Sequence, residues 1–143
     1  MALYLIVLLA GQRVALPADA VDSVVEIERM TPVPLAAHHI SGLAALRSRV
    51  LTIIDSVAAL DPGAVAGNEP QQTVVVTLDG HLYGLQVSAV EDVVEVPAAV
   101  QPLRGTLSPG WARVALGMIQ IEGNALLLLD PAALIVAPPA LAA

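Results

Sequence analysis

The chain has no cysteine and no phenylalanine among its 143 residues, and its six basic residues are all arginine. Without thiols there is no disulfide framework, no thiolate metal site and no cysteine nucleophile. The formal net charge is −7, so the chain offers no basic face to replace the counterions of a nucleic acid. The same deficit argues against an anionic membrane surface. Charged residues make up only 13% of the sequence, about half the usual fraction. Part of the outer surface must therefore be apolar, and contiguous exposed apolar surface marks a site for a partner. What is abundant is aliphatic: hydrophobic residues reach 57%. That excludes disorder for most of the chain. The length suits one domain or two very small ones, and a chain this long buries about two-thirds of its surface without a metal or disulfide to help it.

The sequence repeats itself. Residues 7–27 read VLLAGQRVALPADAVDSVVEI and residues 76–96 read VTLDGHLYGLQVSAVEDVVEV. Gly11 meets Gly80 at an offset of 69, and Leu16, Ala20 and Val21 meet Leu85, Ala89 and Val90. A second pair follows at an offset of 75, with Gly42, Leu51 and Asp55 on Gly117, Leu126 and Asp130. Such spacing exceeds the roughly 20–50 residues of a solenoid repeat and describes one folding unit used twice. The apolar run 2–10 has no basic stretch before it and is shorter than the roughly 20 residues needed to span a bilayer. Its counterpart at 73–78 lies in mid-chain, so both read as strands.

Short Val-, Ile- and Leu-rich runs bounded by turn residues point to small barrels or sandwiches. Strands are expected over 3–9, 13–16, 24–28, 40–46 and 49–54, and in the second copy over 73–78, 114–121 and 125–129. Asp79-Gly80 is a strong hairpin signal, and Pro17–Ala20 a short helical turn opened by proline. Asp55 and Asp130 each precede a short helical stretch, 56–60 and 131–135, for which aspartate is a good N-cap. Residues 61–72, rich in Pro, Gly and Asn, read as a linker. The partition that results is a first barrel over 1–60, a linker over 61–72, a second barrel over 73–135 and a loose tail over 136–143.

No set of residues resembles catalytic machinery. Asp55 and Asp130 end apolar strands as the carboxylates of aspartic proteases do, but neither is followed by the glycine turn that brings such a pair together. A small hydrolase using these two aspartates is the remote reading. His38 and His39 are adjacent, point to opposite faces if extended, and lack the spacing of zinc ligands; a solvated loop is expected there. The serines stand in no nucleophile motif, and no glycine-rich phosphate loop occurs. Neither a metal nor a cofactor is expected. Arg47-Ser48-Arg49 stands out on an acidic, apolar chain. The two arginines share a face if the extended pattern continues through the tip. Two readings stay open for them: solvated turn residues worth about 0–1 kcal/mol in surface pairs, or part of an interface, where arginine is enriched at hot spots.

The stretch Ile40–Asp55, ISGLAALRSRVLTIID, resembles the signature of the CheW-like domain, an x-G, apolar residues, N-L-R-G and a strand ending in P-x-x-D. Gly11–Val25 is similar to the family's opening strands, MTPVP at 30–34 to its loop, and Gly117 and Asp130 to its closing strands. The chain departs from the pattern at Ala45, Ser48 and Thr52. The resemblance implies an all-β fold of two consecutive five-stranded SH3-like barrels related by internal duplication, with short helical turns. It implies a non-catalytic, cytoplasmic coupling protein of a bacterial chemosensory array. Its implied partners are the chemoreceptor cytoplasmic tip and the regulatory domain of a CheA-type histidine kinase, with no nucleic acid and no membrane insertion. Leu46 and Arg47 fall on the family's L-R pair, and Val21 and Val24 on a segment associated with partner contacts. Val90 and Val94 are their counterparts through the repeat. A detached regulatory domain that caps or competes with array assembly is the alternative.

Overall fold

Four two-residue turns lay down the framework. Ala10-Gly11, Arg47-Ser48, Asp79-Gly80 and Glu122-Gly123 all hold positive φ, at 52/78°, 50/69°, 51/79° and 51/81°. Positive φ at both central residues is the type I′ turn, whose twist matches that of the strands it joins. In the computed structural model, which describes residues 2–61, 71–97, 100–103 and 105–136, each turn closes an antiparallel hairpin. The hairpins are β1 (Ala2–Leu9) with β2 (Gln12–Pro17), β4 (Ile40–Leu46) with β5 (Arg49–Asp55), β6 (Gln72–Leu78) with β7 (His81–Val87), and β9 (Ala115–Ile121) with β10 (Asn124–Leu129). Two further strands, β3 (Val21–Val25) and β8 (Ala89–Val96), follow β2 and β7. Only one tip, Arg47-Ser48, lacks glycine. A left-handed residue with a Cβ costs roughly 1–2 kcal/mol, so Ser48→Gly is expected to stabilise the fold by about 1 kcal/mol. Urea midpoints of the two proteins check this; an unchanged midpoint would mean the tip is not strained.

The strands assemble into two five-stranded sheets, ordered β8-β1-β2-β10-β9 and β3-β6-β7-β5-β4. Each is drawn round by a backbone pair that continues one outer strand onto the other. Thr31 exchanges two 2.8 Å hydrogen bonds with Leu43 of β4, and Gln101 exchanges bonds of 2.8 and 2.9 Å with Met118 of β9. Glycine sits beside each closure for a steric reason. A Cβ on Gly42 would stand 2.6 Å from the Thr31 oxygen, and one on Gly117 2.7 Å from the Gln101 oxygen.

The division of strands corrects the expected partition. The first barrel takes β1 and β2 from the first copy and β8, β9 and β10 from the second; the other barrel takes the remainder. The copies have exchanged their opening hairpins. Residues 1–60 and 73–135 are therefore repeats but not barrels. The joins that the exchange creates are parallel: β2 lies along β10 at Val14 and Ala15, and β7 along β5 from Leu82 to Gln86. Residues 62–70 of the expected linker and 137–143 of the expected tail lie outside the described residues. The third strand also begins earlier than the expected Val24, at Val21.

Alternation along the strands supplies three cores. Tyr4 and Ile6 of β1 point into the first barrel with Ala15, Ile119, Ile121, Leu126 and Leu128. Leu51, Ile53, Val75, Leu82 and Ala44 fill the second. The opposite faces meet between the barrels, where Leu5, Val7, Leu9, Val14 and Leu16 pack against Ile54, Val74, Val76, Leu85 and Val87. A strand buried on both faces reads as a continuous apolar run, which explains the 57% hydrophobic content.

Three short helices close the junction: α1 (Ser56–Leu60), α2 (Pro109–Val114) and α3 (Pro131–Ile135). Asp55 and Asp130 cap α1 and α3 as expected, each accepting from a backbone N–H of its own helix, Ala58 at 3.1 Å and Ala132 at 3.0 Å. The two aspartates end strands of different barrels. The carbonyl ends of α1 and α3 are met by basic side chains. Arg113 donates to Ala59 O at 2.8 Å and Ala133 O at 2.6 Å, and His39 Nε2 lies 2.8 Å from Ile135 O. His38 Nε2 lies 3.1 Å from Ala58 O. The expected solvated loop holds for His38, which is exposed in a turn, but not for His39, which is only 2% exposed and packs between elements.

Candidate functional site

The site is built where the β4–β5 tip meets β3. Residues Leu46 and Arg49 face each other across the ladder at the base of the turn, and β3 reaches the same end of the barrel through its pairing with β6. An open groove of about 490 Å³ results, lined by Asp22 and Ser23 of β3, Leu46, Arg47 and Arg49 of the tip, and Val75, Thr77 and Leu82. Buried Val75 and Leu82 give it an apolar floor. The Thr77 hydroxyl donates to Asp22 Oδ2 at 2.5 Å. That leaves Arg47 and Arg49 with no carboxylate partner among the described residues, where Arg13–Glu91 is the one ion pair.

Of the six residues expected to contact a partner, the structure gathers Leu46 and Arg47 in this groove. Val24 stands on β3 next to the groove wall and is 37% exposed. Val21 and Val90 are half-buried and pack against the core between the barrels. Val94 is also half-buried, against the core of the first barrel. Val94 is not the repeat counterpart of Val24 as expected: the offset of 69 carries Val24 onto Val93 and Val25 onto Val94. The geometry agrees with that register, since Val93 is 53% exposed and Val25 packs inward. The two arginines do not share a strand face, because the chain reverses at Arg47 and Ser48; the turn rather than the strand brings them to one groove.

A neighbouring apolar patch escaped the sequence reading. Met30, Leu43 and Val50, the last 66% exposed, surround an open depression with Glu28, Arg29 and Ala45. The signal was present in the alternation of β4, whose outward positions Leu43 and Ala45 are apolar where a solvated strand face would carry polar residues. Among the described residues no helix is long and apolar enough to cross a membrane, and no three His, Asp or Glu gather as a metal site. Such an arrangement offers apolar surface and two exposed cations, which is chemistry for recognising a protein.

Three comparisons bear on the family. The sequence profile of the CheW-like domain matches residues 3–138. A chemotaxis protein CheW of Rhizobium meliloti (strain 1021) is 31% identical over 101 residues, which span 70% of this chain and 65% of that protein's length. The crystal structure of the scaffolding protein TtCheW from Thermoanaerobacter tengcongensis superposes with a TM-score of 0.76 at 20% identity, covering 91% of this chain and 84% of that one. At such identity the superposition speaks for the fold: two SH3-like barrels built from two five-stranded sheets. The profile match spans nearly all of the sequence, and the chain belongs to the CheW-like domain family.

Proposed function

We propose that this chain is a non-catalytic coupling protein that joins chemoreceptor cytoplasmic tips to the regulatory domain of a CheA-type histidine kinase. The observation that carries the reading is the groove in which Leu46 and Arg47 meet β3. It combines a desolvated floor with an arginine that has no carboxylate partner among the described residues, the composition of an interface hot spot. Family membership supports that class of partner. The duplicated aspartates, each occupied with capping a helix in its own barrel, give the hydrolase reading no support. The capping-module alternative rests on the departures at Ala45 and Ser48, yet the turn that holds Ser48 keeps the geometry of the other three tips, so the shape of the tip survives the loss of its glycine. This reading makes the chain cytoplasmic.

Titration of a purified CheA regulatory domain, followed by calorimetry, tests it. Arg47→Glu and Val24→Asp are each expected to weaken binding about tenfold or more, because both place a carboxylate against the contact. If the wild type binds and both variants bind equally well, the contact surface lies elsewhere. No binding by the wild type to either the kinase domain or a receptor tip would remove the coupling role itself.

A further inference from the structure

We propose that Arg47 and Arg49 act together as a fork for an acidic, apolar segment of a partner protein, and that Arg49 sets a preference for two carboxylates over one. The inference deepens the coupling reading and rests on it for the partner's identity, while its chemistry rests on the groove alone. Both arginines line the same groove as Leu46, Val75 and Leu82. The acid on the opposite wall of the groove, Asp22, accepts from Thr77. On a chain of net charge −7, two exposed cations at one tip, without a carboxylate partner among the described residues, form a local positive spot in a negative field. Guanidinium groups are suited to such recognition, because each presents parallel N–H donors to both oxygens of a carboxylate.

The first barrel shows that the fold does not demand these arginines. Carried through the repeat, Asp22, Ser23, Arg47 and Arg49 become Glu91, Asp92, Glu122 and Asn124. The equivalent end is acidic, with the same turn geometry at Glu122-Gly123. One fold thus carries opposite charge at its two ends, and the basic one is available for an acidic ligand. The chain's own acidic end is a poor candidate for that ligand. Glu91 is paired with Arg13 Nε at 2.9 Å, and Asp92 Oδ1 accepts from the Val93 N–H at 2.8 Å. An outside partner fits better.

The probe is a fluorescein-labelled helical peptide with leucines on one face and two glutamates one turn apart beside them, compared by fluorescence anisotropy with an analogue in which one of the two is glutamine. Wild type is expected to bind the two-glutamate peptide about tenfold more tightly at low salt, with the gap closing as salt rises. Arg49→Glu, at an exposed position that leaves the fold intact, should abolish the preference, and Arg49→Gln should reduce it. Equal affinity of wild type for the two peptides, or binding to neither, overturns the fork. So does self-association of the wild type in light scattering that Arg49→Glu dissolves, because the occupant would then be a second copy. The coupling reading fails separately. If peptide preference holds but neither the kinase domain nor the receptor tip binds, only that reading is lost. If both partners bind wild type and Arg49→Glu alike, only the fork is lost.

Discussion

Gly110→Ala is expected to destabilise the protein by about 3 kcal/mol or more, against the direction that helix propensity alone would give. Gly110 is the second residue of α2. Alanine there would ordinarily gain about 0.8–1 kcal/mol. Packing decides otherwise, because a Cβ would overlap the carbonyl oxygen of Leu60 and stand only 3.2 Å from its Cα. The obstacle is backbone, so no rotamer change relieves it. Nor can α2 readily shift. Its far end is tied by Arg113 to Ala59 O and Ala133 O, and Val114 O accepts from the Asp130 N–H at 2.8 Å. Overpacking a well-fixed core costs typically 1–3 kcal/mol, and more where the neighbours cannot yield. Chemical denaturation with circular dichroism measures it, and an unchanged or raised midpoint would refute the close approach of α2 to α1.

That helix marks the boundary of what the sequence made legible. Its segment reads as a connection because Pro109-Gly110-Trp111 carries two residues that usually break helices. The Ser-Pro step that opens it is a legitimate start signal, with proline at the first helical position. The hairpins were legible from alternation and turn residues, and the strand 40–46 begins and ends where that pattern places it. The hairpin exchange was not legible, and for a physical reason. Because the copies are alike, the opening hairpin of either one presents the same apolar alternation to either barrel. Exchanged and unexchanged pairings satisfy the same pattern, and tertiary packing alone chooses between them.

The site shows a similar division. Leu46 and Arg47 were legible from a motif whose spacing survives substitution at Ala45 and Ser48. The contribution of β3 to the same groove depends on which strands pair, and Leu46 is far from Asp22 in sequence. Valine alone does not reveal which face it takes, since Val93 and Val94 are adjacent and chemically identical. Only the ladder, in which Tyr4 stands opposite Val94 and Leu5 opposite Val93, sorts them into inner and outer positions. Arg49 sits outside the family's L-R pair, and its place in the groove comes from the turn.

Leu85→Ala should cost about 2–5 kcal/mol and loosen both barrels at once. Leu85 lies on β7 of the second barrel with no exposed surface, in the core that also holds Leu5, Val7 and Leu16 of the first. The direct loss is the transfer energy of the removed methyl groups plus the cavity they leave. The joint response follows from two features. The largest cluster of buried side chains belongs to neither barrel alone, so a void in it weakens contacts on both sides. The exchanged hairpins add a topological tie, because each barrel contains strands whose chain neighbours lie in the other. Opening the second barrel releases β3, β4 and β5 and also the anchor of β6 and β7, which lead directly into β8 of the first. Native-state hydrogen exchange reads this residue by residue. Amides of Ile6 and Ile119 in the first barrel and of Ile53 and Val75 in the second should lose protection in parallel. If the first barrel keeps its protection while the second loses it, the barrels are separate cooperative units, and the shared core does not unite them.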